Sequence, residues 1–173
     1  MWTIDRIKRV AGSGFYPAIT LPSYASKVGG MKCKIPRLAR RGDAILHKAV
    51  IDYRAREKDK GVKNIPGNPD FESAKTLFKV AIILGLHEVV RMSPEHREEF
   101  LELASQEEPT KHIMRNLSEP LEALIGVIEY SAGYDTAIDF IHDNVIETVI
   151  RDIQVDTSSA LLNSLQNELI LIL

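Results

Sequence analysis

Carboxylates are almost missing from the first quarter of this 173-residue chain, where Asp5 is the only acid before Asp43. Cysteine is scarcer still. Cys33 stands alone, which excludes an internal disulfide framework and fits the cytoplasm or another reducing intracellular compartment. Its neighbours Lys32 and Lys34 favour a thiolate, but no histidine lies close in sequence to make it a nucleophile. The longest apolar run, Val80 to Leu86, is far short of the roughly 20 residues a membrane-spanning helix needs. Neither GxGxxG nor the phosphate-loop pattern occurs, and no serine sits in a Gly-x-Ser-x-Gly elbow, so nothing points to a dinucleotide site, a phosphate loop or a serine hydrolase. No cofactor is expected.

What is present is ordinary globular usage, 45% hydrophobic and 27% charged, which argues against global disorder. A chain of this length buries roughly two-thirds of its unfolded surface and needs no covalent or metal staple. The formal net charge of −2 conceals a split. Residues 1–63 hold 15 Lys/Arg against 5 Asp/Glu, a balance of +10, and residues 64–173 hold 7 against 19, a balance of −12. Opposite signs in the two halves point to a polyanion-binding region or to charge-complementary assembly.

Glycine and proline punctuate residues 1–42, so only short elements fit there. Trp2 to Val10 groups Trp2, Ile4, Ile7 and Val10 against Arg6, Lys8 and Arg9, as two helical turns would. Phe15 to Leu21 is rich in β-formers, which Pro17 restricts to an edge strand or extended segment. Asp43 is placed to cap a helix carrying Ile45, Leu46, Ala49, Val50 and Tyr53, ending near Gly61. Asn68-Pro69 is the start expected for a helix to about Met92, read as the central buried one because its middle is apolar all round. Ser93-Pro94-Glu95 starts the next helix, through Ser105; Ser118 starts another that stops at Gly133, and Asp135 opens a long one to about Val155. A last helix begins at Asp156 or Thr157. The predicted fold is therefore mainly α: an antiparallel bundle of five to six helices over residues 43–173, with a linker near 61–69, preceded by an irregular basic arm over residues 1–42.

Arg6, Lys8, Arg9, Lys32, Lys34, Arg37, Arg40 and Arg41 are interleaved with Trp2, Phe15, Tyr16 and Tyr24, which couples charge for phosphates to rings that stack on bases; Arg54 and Arg56 extend the set. Backbone binding without sequence choice suits this pattern better than duplex readout, since no recognised DNA- or RNA-reading motif occurs. The apolar side of Trp2 to Val10 beside its cations also suits an anionic membrane surface. Asp135, Asp139, Asp143 and Glu147 recur every four residues as a solvated stripe or a docking strip for a basic partner. Leu161, Leu165, Leu169 and Ile172 give the carboxyl end an apolar face for the core or for an oligomer interface. His112 and the pair His142-Asp143 resemble the ligand pattern of metal-dependent HD-type phosphohydrolases in three residues. That family needs a further ligand well downstream, and Asp152 and Asp156 follow too closely. No catalytic residue and no metal site is expected. The residues point first to a non-enzymatic protein whose basic half contacts a polyanion, most simply nucleic acid. The alternatives are a self-associating structural, matrix-like adaptor, with or without a membrane surface, and then an HD-like hydrolase.

Overall fold

Two long helices carry the molecule. In the computed structural model, which describes residues 1–28, 32–61, 70–106 and 108–151, α4 spans Ile35–Asp59 and α8 spans Lys111–Ala132. The other elements are α1 (Ile4–Ala11), α2 (Phe15–Ala18), α3 (Pro22–Lys27), α5 (Ala74–Ile83), α6 (Leu86–Val89), α7 (Pro94–Ala104), α9 (Tyr134–Ile141) and α10 (Glu147–Ile150). A 3-10 turn at Gly12–Gly14 joins α1 to α2, and a π-turn at His142–Ile146 joins α9 to α10. The chain is mainly α, as its sequence predicts, and the described residues contain no strand, only an isolated bridge between Thr20 and Arg91.

The central helix is α8, not the Val80 to Leu86 segment. It touches α1, α2, α4, α5, α7 and α9, and its stripe Ile113, Leu117, Leu121, Leu124 and Ile128 is at most 2% exposed. That stripe explains why the helix starts at Lys111, with Thr110 as its cap, and runs straight through Ser118 and Pro120. Apolar positions at helical spacing on both sides of the proline outweigh the one hydrogen bond it removes. Likewise Asp43, expected to open a helix, lies inside α4, which begins a full two turns earlier because Pro36 is tolerated in a first turn. α4 thus crosses the division expected between residues 42 and 43 without interruption.

α4 and α8 meet through glycine. A Cβ added to Gly42 would lie 1.8 Å from the carbonyl oxygen of Glu122, and one added to Gly126 would lie 2.5 Å from that of Leu38. Both are impossible contacts, so the two backbones touch directly, closer than the usual 8–10 Å helix separation permits with side chains between.

The first 28 residues form short helices, as their punctuation demands, but they are built into the core rather than held apart as an arm. Trp2, Ile7, Ala11, Phe15, Ala18 and Ile19 are all buried. Trp2 packs edge-on against Phe140, and its backbone N–H donates to Asn144 Oδ1 at 2.8 Å. The apolar face of α1 that would suit a membrane surface is therefore already covered. Phe15 to Leu21 is not extended: it forms the turn α2 and then pairs through Arg91 N–H to Ile19 O and Leu21 N–H to Arg91 O, each 2.8 Å.

Ser93 caps α7, accepting from His96 N–H, and α8 stops at Gly133 with φ +91°, both where the sequence places them. The helix expected from Asn68 to Met92 is shorter. Ser73 caps α5, and Gly85, at φ +74°, turns the chain before α6. Asn68-Pro69, most of the linker and the final helix with Leu161, Leu165, Leu169 and Ile172 lie outside the described residues.

Replacing Gly42 with Ala is expected to cost about 3 kcal/mol, the upper end for overpacking, because carbonyl backbone rather than a movable side chain blocks the new methyl. Urea unfolding of Gly42→Ala beside wild type measures it.

Candidate functional site

The basic residues singled out in the sequence do not share one face. Arg6 is exposed and lies over the Trp2 ring, 4.0 Å from its centre. Arg41 pairs with Glu129 and sits 6.0 Å from the Tyr130 ring. Arg54 is 5.7 Å from the Phe71 ring, and Arg56 reaches the Asp52 carbonyl and His142 Nε2, each at 3.4 Å. Arg9 and Arg37 point to solvent.

Two places gather the remainder. At the first, Lys32 and Lys34, from the approach to α4, line a cleft with Tyr16, Pro17, Thr20 and Arg91. Lys8 joins from α1, its ammonium 5.2 Å from the Tyr16 ring centre. Arg91 lies over the same ring at 3.9 Å. The hydrogen bond from Lys8, reinforced by its charge and by Arg91, lowers the Tyr16 phenol below its ordinary pKa. Arg91 was missed because it lies in the acidic half of the sequence. The Thr20–Arg91 bridge alone brings it across, and no local pattern announces a single long-range bridge.

The second place is an open groove of about 550 Å³ beside the α4–α8 crossing, lined among others by Arg40, Asp43, Lys111, Arg115, Glu119 and Glu122. Asp43 follows Gly42, so the glycine contact that joins the helices also brings Asp43 against the last two turns before Gly126. Burial chiefly, then the negative charges of Asp43 and Glu119, push the Glu122 carboxyl up to about 7. Of the groove's four acids, Asp43, Glu72, Glu119 and Glu122, the sequence singles out Asp43 alone, and only as a helix cap. Glu119 and Glu122 share a helix face at i,i+3, but Asp43 is 76 positions away from Glu119.

The acidic stripe Asp135, Asp139, Asp143 and Glu147 stays exposed. Asp143 accepts from Trp2 Nε1 at 3.2 Å, and Glu147 pairs with Arg151 at 3.1 Å. His112 is exposed on α8, whereas His142 is half-buried against Tyr53 and Arg56. Burial first, then Arg56, lowers the His142 pKa. Among the described residues no three His, Cys, Asp or Glu side chains are grouped to hold a metal ion, and Asp152 and Asp156 lie outside those residues. His96 bridges α3 and α8, with Nδ1 2.8 Å from Ser23 Oγ and Nε2 3.2 Å from Asn116 Nδ2. Cys33 Sγ is satisfied by the Thr20 carbonyl at 3.4 Å.

No protein-family model matches the chain, and no curated protein does. Two solved structures do. Its fold is shared with the nuclease domain of ribonuclease III from Campylobacter jejuni. One structure, determined at 2.2 Å, has a TM-score of 0.62 at 21% identity, covering 90% of this chain and 100% of that one. The other, described for structural flexibility in the region involved in dimer formation, has a TM-score of 0.60 at 21% identity, covering 84% of this chain and 97% of that one. The likeness is one of fold.

Glu122 binds its proton more tightly folded than unfolded, which destabilises the protein above pH 7 and ceases to do so below the ordinary carboxyl pKa near 4.5. Glu122→Gln is therefore expected to be more stable than wild type at pH 8, with the gap closing as pH falls through 7 to about 4.5. Denaturant midpoints across that range test this.

Proposed function

We propose that this chain binds nucleic acid, RNA in the first instance, through phosphate contacts from its basic amino-terminal half, and does not cleave it. The observation that carries the reading is the sharing of a nuclease-domain fold over 84–90% of the chain by a protein whose first 63 residues carry a charge of +10. Phosphodiester hydrolysis by bound divalent cations needs carboxylates converging on the ions. The α4–α8 groove gathers four carboxylates, Asp43, Glu72, Glu119 and Glu122, but sets three cations, Arg40, Lys111 and Arg115, among them, with Arg115 3.9 Å from Glu119, so part of that negative charge is already answered by the protein itself. No three-ligand group forms among the described residues.

A second reading, self-association, is favoured by exposed apolar side chains on the two long helices, one on each. Tyr130 is 80% exposed and Ile51 52%. One of the similar structures is described by its region of dimer formation.

Affinity for a single-stranded RNA is expected to fall steeply between 50 and 200 mM salt, in proportion to the phosphates neutralised. The combined change of Lys32, Lys34, Arg37, Arg40 and Arg41 to Ala is expected to abolish it. Filter binding across salt tests both, with the same RNA incubated in Mg²⁺ and Mn²⁺. Salt-independent binding, or cleavage that follows the protein through purification, overturns the reading.

A further inference from the structure

Most cations of this protein that the structure pairs have a carboxylate beside them: Lys27 with Glu95, Arg41 with Glu129, Lys48 with Asp52, Lys60 with Glu57 and Arg115 with Glu119. The cleft at Tyr16 breaks that pattern. Lys32, Lys34 and Arg91 line it, Lys8 stands at the Tyr16 ring, and none of its lining residues is acidic. None of these four cations forms an ion pair with a carboxylate among the described residues; the charge of Asp5, one turn before Lys8 on α1, reaches Lys8 alone. Like charges repel, so gathering four of them around one small cleft is unfavourable unless an anion enters.

The shape narrows the anion. The cleft holds about 170 Å³, below the range of pockets that enclose a drug-sized ligand, and equal to the volume of roughly five or six waters. A nucleobase finds no free platform there, because Arg91 already covers the Tyr16 ring at 3.9 Å and Phe15 meets it edge-on. What fits is a tetrahedral oxyanion that accepts from two ammonium groups, a guanidinium and a phenol.

We propose that the cleft formed by Tyr16, Thr20, Lys32, Lys34 and Arg91, with Lys8 at its edge, binds a single phosphate group, supplied by the backbone of a bound RNA. The source named rests on the proposed function; the phosphate chemistry does not. The cleft joins parts of the chain that are distant in sequence. α1 supplies Lys8, α2 supplies Tyr16, the approach to α4 supplies the two lysines, and the Thr20–Arg91 bridge holds the main chain of Arg91, whose guanidinium lies over the Tyr16 and Tyr24 rings. A phosphate here would therefore tie the amino-terminal helices to the middle of the chain.

The test uses the full chain, Lys32→Ala/Lys34→Ala and Tyr16→Phe, with inorganic phosphate and a single-stranded RNA as probes. Lys32 and Lys34 are exposed, so the double variant is expected to fold. At constant ionic strength, phosphate in place of chloride is expected to raise the melting temperature of wild type, to raise that of Tyr16→Phe less, and to leave that of the double variant unmoved. The double variant is expected to bind RNA about threefold to tenfold more weakly at low salt, with a salt slope shallower by about 0.7, the share of one phosphate on a single strand. Salt-dependent RNA binding that the double variant retains in full overturns the cleft while leaving the proposed function standing. Phosphate stabilisation that needs both lysines, without RNA binding, overturns RNA as the source and assigns the cleft to a free phosphorylated small molecule. Loss of neither response in the double variant, or no response to either probe in wild type, overturns the proposal.

Discussion

Two missing side chains hold this structure together. At Gly42 and Gly126 the backbones of α4 and α8 touch, with no room for a methyl group on either side. The rest of the molecule is arranged around that seam: α5, α9, α1 and α2 all pack on α8. The seam has an electrostatic consequence as well. By drawing α4 so close, it sets Asp43 among Glu119 and Glu122 in a partly buried groove, where burial first and then the two neighbouring charges raise the Glu122 pKa. Packing and ionisation at this crossing are one constraint seen twice.

That constraint explains what could be read from the sequence. Local signals were reliable where a turn needs a particular residue: the Ser93-Pro94 start of α7, the glycine stop of α8, and the apolar face of α1. They failed where tertiary packing overrode them. Asp43 and Ser118 have side chains that cap helices well, yet both lie mid-helix, because apolar stripes continue upstream of each and are buried by the partner helix. Nothing in a single sequence pairs Gly42 with Gly126, 84 positions apart, so the groove they create was invisible. The amino-terminal segment was legible as short helices but not as core, since its glycine and proline content speaks of breaks and is silent about docking.

The charge split also changes meaning in three dimensions. The basic half does not form one continuous surface. Some of its cations are neutralised by the acidic half, as Lys27 is by Glu95 and Arg41 by Glu129, and others rest on aromatic rings, as Arg6 does on Trp2. Much of the +10 therefore serves internal contacts. Lys8, Lys32 and Lys34 gather around Tyr16, where Arg91 is the contribution from the acidic half.

The contact of Trp2 with Asn144, Asp143 and Phe140 joins residues almost at opposite ends of the described chain. Its consequence lies in the order of synthesis. At about 5–20 residues per second, a ribosome needs on the order of 7–30 s to reach residue 144 after residue 2, and for that interval the partners of Trp2 are incomplete. A basic, amphipathic segment with Trp2 at its start is then translated well before the residues that complete its packing. Any partner that holds it during translation delays closure of the whole core.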